Sequence, residues 1–518
     1  MSEPSPAKGE GFLFKRQQKR SFSNSLPTSS AHRFSIMTLL ANFTRLLAVA
    51  LIAGCVSGCS QPKATKADNP NIIFILVDDL GKEWVSAYGA EDIETPHVDQ
   101  LAATGMQFSN AYVMPQCTPT RLSFLTGQYP YRHGWVNHWD VPRWGGGAHY
   151  DWNRNPCISM VMKDAGYKTA IAGKWQVTDF RVQPDAMTEI GFDDYCMWTG
   201  GEGNNPPSDE RFWDPYIHTK DGSKTWKGAY GETVFTDFLI DFMKKNKDDP
   251  MFLYYPMVLT HTPFVTTPDD LEATTDLEKH KAMVRYTDKV LGKFVQALDE
   301  LEIRDNTVIV WTTDNGTTGA ITGHQNGRSV KGAKASTTEP GLCVPFIVNG
   351  PGLVPEGIKT DALIDVTDLL PTFAELGGGK LQDGYTYDGK SFSDLILGKS
   401  NDSQKSWILG MGGMNEAKLT DQGVENAYAF RDRVIREKRF KLYVNSNKQP
   451  EKLVDVLADP DEKNNLIDSQ APDAKTALAR MSALIPGFPS RDNDPIYTPL
   501  PAQPWDVEIT VKSEVWKQ

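Results

Sequence analysis

The chain has 518 residues, 40% of them hydrophobic and 23% charged. That is enough for a large core in more than one layer, and ordinary for a soluble globular enzyme. A formal net charge of -12 argues against a general nucleic-acid binder, which needs a basic face for phosphates, yet a few local cations could still hold a small anion.

The chain opens on an export signal. Arg45 precedes the apolar run from Leu46 to Ala53, which is too short to span a bilayer. Leu51-Ile52-Ala53-Gly54-Cys55 and Val56-Ser57-Gly58-Cys59 follow, both similar to the lipobox of bacterial lipoproteins. A plain secretory signal is the alternative. Residues before Met37 read as an upstream extension of the frame. The expected address is the periplasm or outer membrane of a bacterium, with membrane contact only through an acylated Cys55 or Cys59. Residues 1–59 form this region, and the polar stretch 60–70 reads as a tether. The other cysteines, Cys117, Cys157, Cys196 and Cys343, are widely spaced with no CxxC pair, which is neither a disulfide framework nor a zinc site.

From residue 71 to about 400, short apolar runs alternate with amphipathic stretches, the pattern of an α/β domain. Ile72 to Val77 is a continuous apolar run, as a buried parallel strand should be. Thr169–Ala172, Met251–Val258, Val308–Trp311 and Val344–Val348 read the same way. Val290, Leu291, Phe294, Val295, Leu298 and Leu301 have the spacing of one buried helical face. A polar stretch near Ser400 marks a boundary to a subdomain and tail over 401–518. There Phe440–Val444 and Lys452–Val456 predict a small antiparallel sheet and 471–484 a helix, and the Pro-rich end should wrap the surface.

The polar residues that follow the apolar runs carry the chemistry. Asp78-Asp79 end the first run, Gly173-Lys174-Trp175-Gln176 the second, His261 follows the third, and Asp314-Asn315-Gly316 follow the fourth. Ligands of open α/β sheets bind outside the carboxyl ends of the strands, so these groups should share one crevice. Three carboxylates and an amide cannot share a dry site without a cation, and an all-oxygen set suits calcium or magnesium. Either acidic pair alone would also suit a strand-ending turn.

The decisive segment is Cys117-Thr-Pro-Thr-Arg121, completed by Leu125-Thr-Gly127. With Gly127-Gln-Tyr-Pro-Tyr-Arg-His-Gly134, Gly173-Lys-Trp175, Asp314-Asn-Gly316, Lys334 with Glu339, and Asp459-Pro-Asp-Glu-Lys-Asn-Asn-Leu466, it resembles the type I sulfatases of the alkaline-phosphatase superfamily. The resemblance runs from about Asn71 to about Leu466. It implies a large mixed sheet flanked by helices with a smaller C-terminal antiparallel sheet, and hydrolysis of sulfate esters. It also implies oxidation of Cys117 to formylglycine by a separate maturation enzyme. The hydrated aldehyde would attack sulfur with one hydroxyl and expel sulfate with the other, which a thiol cannot do. Carried over by position, Asp78, Asp79, Asp314 and Asn315, with the group at Cys117, would bind one calcium ion. Arg121 would hold the formylglycine, Lys174 and Lys334 would contact sulfate or the leaving oxygen, and His261 would lie near the leaving group.

The sequence departs from the family where Gln176 stands for the commoner His. An amide can hydrogen-bond the formylglycine but cannot titrate near neutral pH. Pro340-Gly341 stand for Gly-Gly, and Cys343 for Arg. The stretch from Arg132 to Trp152 holds His133, Trp135, His138, Trp139, Trp144, His149 and Trp152, which suits either a platform for sugar faces or loop packing. Export and a lipid anchor favour a sulfated glycan, with small aryl sulfates as further substrates. The alternatives are a phosphonate or phosphate-ester hydrolase of the same superfamily and a non-catalytic glycan-binding lipoprotein.

Overall fold

The computed structural model describes residues 69–494 and 496–499, apart from 137–145, 151–153, 179, 181–182, 199–210, 413–416, 421–422 and 427–428. The export signal with Cys55 and Cys59, most of the tether and the last part of the Pro-rich end, 500–518, lie outside the described residues, as do His138, Trp139, Trp144 and Trp152. Among the described residues no helix is long and apolar enough to cross a membrane.

Ten strands form one mixed sheet. In chain order they are β1 (Asn71–Val77), β2 (Met106–Tyr112), β3 (Lys168–Lys174), β4 (Asp194–Trp198), β5 (Tyr216–Thr219), β6 (Gly222–Thr225), β7 (Met251–Pro256), β8 (Thr307–Thr313), β9 (Phe346–Asn349) and β10 (Ile358–Asp365). Their order across the sheet is β10-β2-β9-β8-β1-β7-β3-β4-β5-β6. The strands from β8 to β4 are all parallel, which aligns their carboxyl ends along one edge. Every residue of β1 is buried. Ile72, Phe74 and Leu76 point into the core on one face, and Ile73, Ile75 and Val77 into the core on the other. Burial on both faces is why this strand reads as an unbroken apolar run.

The run at 344–348 also forms a buried strand, β9, but it pairs antiparallel with both neighbours. The parallel expectation fails there because an apolar run records burial on two faces, and direction leaves no mark in it.

One face of the sheet carries helix α1 (Cys117–Thr126) and the other α2 (Gly231–Asn246) and α3 (Asp276–Glu300). The helix expected around 290–301 is the second half of α3. It starts earlier, at a capping box in which Thr275 accepts from Glu278 N and the Glu278 side chain returns to the Thr275 backbone. Helix α4 (Leu369–Leu376) packs beside α1.

The expected antiparallel C-terminal sheet forms, with two strands the sequence reading did not single out: β11 (Ile408–Met411) and β12 (Arg433–Arg436) join β13 (Phe440–Val444) and β14 (Pro450–Asp455), all antiparallel in that order. Helix α5 (Pro472–Ser482) packs on it through Ala474, Ala477 and Met481. Leu409, Ile435, Leu442 and Leu453 join the same core as Phe74 and Phe124, so this sheet is built onto the large one through continuous apolar packing.

Candidate active site

The hydrogen-bond ladder continues past the strand ends and sets the site's backbone. Asp314 N donates to Val77 O at 2.9 Å, Asp78 N to Leu259 O at 2.7 Å, and Thr260 N to Asp78 O at 2.5 Å. Three loops from β1, β7 and β8 are thereby locked side by side. Asp79, Gln176 and Ala335 have φ of 62°, 52° and 68°, the left-handed region that costs a non-glycine residue about 1–3 kcal/mol and is commonest at functional sites.

Asp78, Asp79, Asp314 and Asn315 are at most 1% exposed. Asp79 N donates to Asp314 Oδ1 at 3.1 Å and Asn315 Nδ2 to Asp79 Oδ1 at 2.7 Å. Asp78 Oδ1 and Asn315 Oδ1 are buried without a hydrogen-bond partner. An orphaned carboxylate oxygen and an orphaned amide oxygen in one acidic cluster are what a hard cation would satisfy. Ligand atoms of Asp78, Cys117 and Asp314 lie within 4.8 Å of one another, as do those of Asp78, Asp79 and His261. The residues present therefore fit a bound metal ion.

The electrostatics point the same way. Burial raises the carboxyl of Asp314 to about 7, and the charge of Asp78 adds to it. Burial also raises Asp79, against the pull of Lys334. At Asp78 burial is outweighed by Lys174, Arg121 and Lys334, which hold it at about 2. Asp79 and Asp314 are thus held up by burial and by their neighbours' negative charge, a cost that a bound cation would lower.

Cys117 is the first residue of α1 and is buried. Its thiol donates to Gln176 Oε1 at 3.0 Å, so Gln176 occupies the position from which an amide would hold a group at residue 117. Arg121, one helical turn on, reaches Asp314 Oδ2 through Nη2 at 2.6 Å and Nε at 3.2 Å, and donates to Lys174 O through Nη1 at 3.0 Å. It ties the helix, the Asp314 loop and β3 together. Lys174 Nζ contacts Asp78 Oδ2 at 2.6 Å, and Lys334 Nζ contacts Asp79 at 2.7 Å. Thus Asp78, Asp79, Cys117, Arg121, Lys174, Gln176, Asp314, Asn315 and Lys334 are all brought together.

His261 completes the wall, with Nε2 3.7 Å from Asp79 Oδ2. Burial and the charges of Lys334, Arg211 and Lys174 hold its imidazole well below its ordinary pKa. Its Nδ1 lies 2.8 Å from Arg211 Nη2 and 2.5 Å from Thr262 O. These two contacts ask for opposite tautomers. A guanidinium can only donate, and Arg211 also donates to Thr262 O, so we assign the lone pair to Nδ1 and the proton to Nε2.

Sequence reasoning missed two residues here. Arg211 stacks on Trp198 with its guanidinium 4.8 Å from the ring centroid and fixes the His261 segment, yet it stands in a stretch without periodicity or motif. Glu232, at the start of α2, accepts from Val258 N at 3.2 Å and anchors the β7 loop from behind, with burial raising its carboxyl to about 7. Of the two readings of the aromatic stretch, sugar platform or packing, packing holds at two described positions. His133 and Trp135 are 0% and 2% exposed. His133 Nε2 pairs with Ser123 Oγ, and its Nδ1 accepts from Trp135 N. They are core, and of His149 only the backbone is described.

The Sulfatase family model matches residues 70–379, which is 310 of the 518 residues. Over 517 residues the chain is 28% identical to an N-acetylgalactosamine-6-O-sulfatase of Bacteroides thetaiotaomicron, covering 85% of this chain and 99% of that protein. It is 27% identical over 435 residues to an ulvan-active sulfatase of Formosa agariphila, covering 79% and 78%. The crystal structure of Ps i-CgsB superposes with a TM-score of 0.65 at 27% identity, over 80% of this chain and 93% of that one. The fold, the site at the strand ends and a family match across more than half of the sequence have one reading: this chain belongs to the sulfatase family.

Proposed function

We propose that this sulfatase removes sulfate from exported or environmental sulfated glycans, using Cys117 matured to formylglycine beside a calcium ion. The observation that carries the reading is the meeting of Cys117 with Asp78 and Asp314, ligand atoms within 4.8 Å, under two lysines that are 0% and 19% exposed at the side chain. Glycan substrates are supported by the relatives, among them the B. thetaiotaomicron enzyme named for N-acetylgalactosamine 6-O-sulfate and Ps i-CgsB, solved with k-i-k-neocarrahexaose. Acylation of Cys55 or Cys59 would place the enzyme at the bacterial surface or periplasm, where such polymers are met.

Calcium, held by Asp78, Asp79, Asp314 and Asn315, would supply positive charge that polarises a sulfate oxygen. Hydrated formylglycine would offer one hydroxyl for attack and a second for release of sulfate. The chain's own residues would do the rest. Lys174 and Lys334 each spend one N–H on an aspartate and keep others for sulfate oxygens. In a site this dry, donors aimed at developing negative charge are where binding energy lowers the barrier. Neutral His261 would hydrogen-bond the leaving oxygen through Nε2–H and keep its proton. Gln176 would orient the group at residue 117, and Arg121 would hold the helix start against the metal loop.

The test is mass spectrometry of protein made with a maturation enzyme, coupled to a screen of defined sulfated saccharides. Formylglycine at residue 117 and release of sulfate from at least one saccharide are expected. A fully unmodified thiol in active protein would overturn the mechanism.

A further inference from the structure

The geometry points to a positioning role for the C-terminal sheet: we propose that Glu462 and Lys441 clamp the short turn Glu339–Leu342 and through it hold Lys334 and the Asp314–Gly316 loop in place for reaction. This rests on the site assignment above and adds residues about 100 positions away that touch no reacting group.

The turn is packed against the site on one side. A Cβ on Gly316 would lie 1.8 Å from Pro340 O, and one on Gly341 would lie 2.1 Å from Ser336 O and 2.5 Å from Ala333 O. Backbone meets backbone at both glycines, so the turn packs directly on the Asp314–Gly316 loop and on the Lys334 loop with no side chain between them. Gly316 N donates to Gly341 O at 3.2 Å, Lys334 N to Thr317 O at 3.0 Å, and Ala335 N to Pro115 O at 2.8 Å, two residues before Cys117. Lys82, three residues after Asp79, reaches Cys343 Sγ at 3.0 Å.

On its other side the turn is gripped by buried charge. Glu339 Oε1 takes Lys441 Nζ at 3.2 Å and Arg436 Nε at 3.3 Å, and its Oε2 takes Tyr112 OH at 2.7 Å. Glu462 Oε1 accepts from Glu339 N at 2.6 Å and from Lys441 Nζ at 3.1 Å, and Tyr443 OH donates to its other oxygen. Lys441, Arg436 and Glu462 are 0%, 1% and 4% exposed. A buried pair contributes little net stability but is costly to break, which suits a device for fixing geometry.

The experiment compares Glu462→Gln with Asp492→Asn. The second change removes a charge from the equally buried Arg433–Asp492 pair of the same sheet, which ties down Arg431 instead of the turn. Glu462→Gln should lower kcat/KM on an aryl sulfate by roughly tenfold, the scale of a small misplacement remote from the chemistry, and weaken calcium affinity of the apoprotein in titration calorimetry. Asp492→Asn should change both by less than about twofold. On a Lys334→Ala background Glu462→Gln should cost less than about threefold, because residues acting through one another are not additive. Equal losses from the two control-matched changes would overturn the proposal. So would losses that multiply on the Lys334→Ala background with calcium affinity unaltered. If Glu462→Gln does not fold, Tyr443→Phe, which leaves both charges, carries the same cycle with roughly a threefold expectation. A chain inactive on every sulfate ester would sink the site assignment instead, and the calcium titration would still decide the clamp.

Discussion

Replacing His280 with phenylalanine should flatten the acid side of this protein's stability. His280 lies in α3 and is 0% exposed. Its ring meets Trp84 edge-on at 4.6 Å and Phe264 at 5.3 Å, and neither ring nitrogen has a hydrogen-bond partner. Burial is the main reason its pKa falls from 6.5 to about 3, with the charge of Lys281 adding to it. In the unfolded chain the imidazole binds a proton near its ordinary value, whereas the native state refuses one until about pH 3. The unfolded state therefore holds more protons between those values. Stability is complete above about 6.5 and is lost as pH falls, by about 1.4 kcal/mol per unit, or about 2 kcal/mol by pH 5. Phenylalanine cannot titrate, so the variant should lose that slope. Any offset from its larger ring is independent of pH, and the carboxylates common to both proteins cancel in the difference. Urea unfolding from about pH 7.5 to about pH 5, followed by near-UV circular dichroism, measures the two slopes. Equal slopes for wild type and variant would refute the argument.

The remaining predictions concern the site. Asp314→Asn should lose bound calcium and activity together, and chelation should stop the wild type. We choose Asn because Ala would strand the buried Arg121, a loss of about 3–5 kcal/mol; full activity in verified metal-free protein would count against the metal. Gln176→Ala should slow turnover by about one to two decades, the worth of one hydrogen bond to a reacting group, without adding or removing a limb of the pH–rate profile. His261→Ala should slow poor leaving groups more than activated aryl sulfates. Pairing the last two variants on both kinds of ester checks the roles, and a titrating limb erased by Gln176→Ala alone would reverse them.

Much of the site was legible in the chain because its chemistry is written where secondary structure ends. An apolar run followed at once by Asp78-Asp79 or Asp314-Asn315 states both that a strand is buried and that its carboxyl end is polar. The Cys117–Arg121 segment was legible through its resemblance to the family signature, and that it opens a helix, with Arg121 one turn after Cys117, came from the structure. The same local logic found two of the four strands of the C-terminal sheet, β13 and β14, and the helix α5. What it could not supply was any relation between segments. The direction of β9 depends on its partners. The burial of His133 and Trp135 depends on what closes over them. Arg211 reaches His261 across 50 positions, and Glu462 reaches Glu339 across 123, through loops that carry no periodicity. Sequence pattern records how much of a residue is buried and which way the local backbone turns. The partner that satisfies a buried charge is fixed only when strands distant in the chain are laid side by side, and that is a property of the packed sheet.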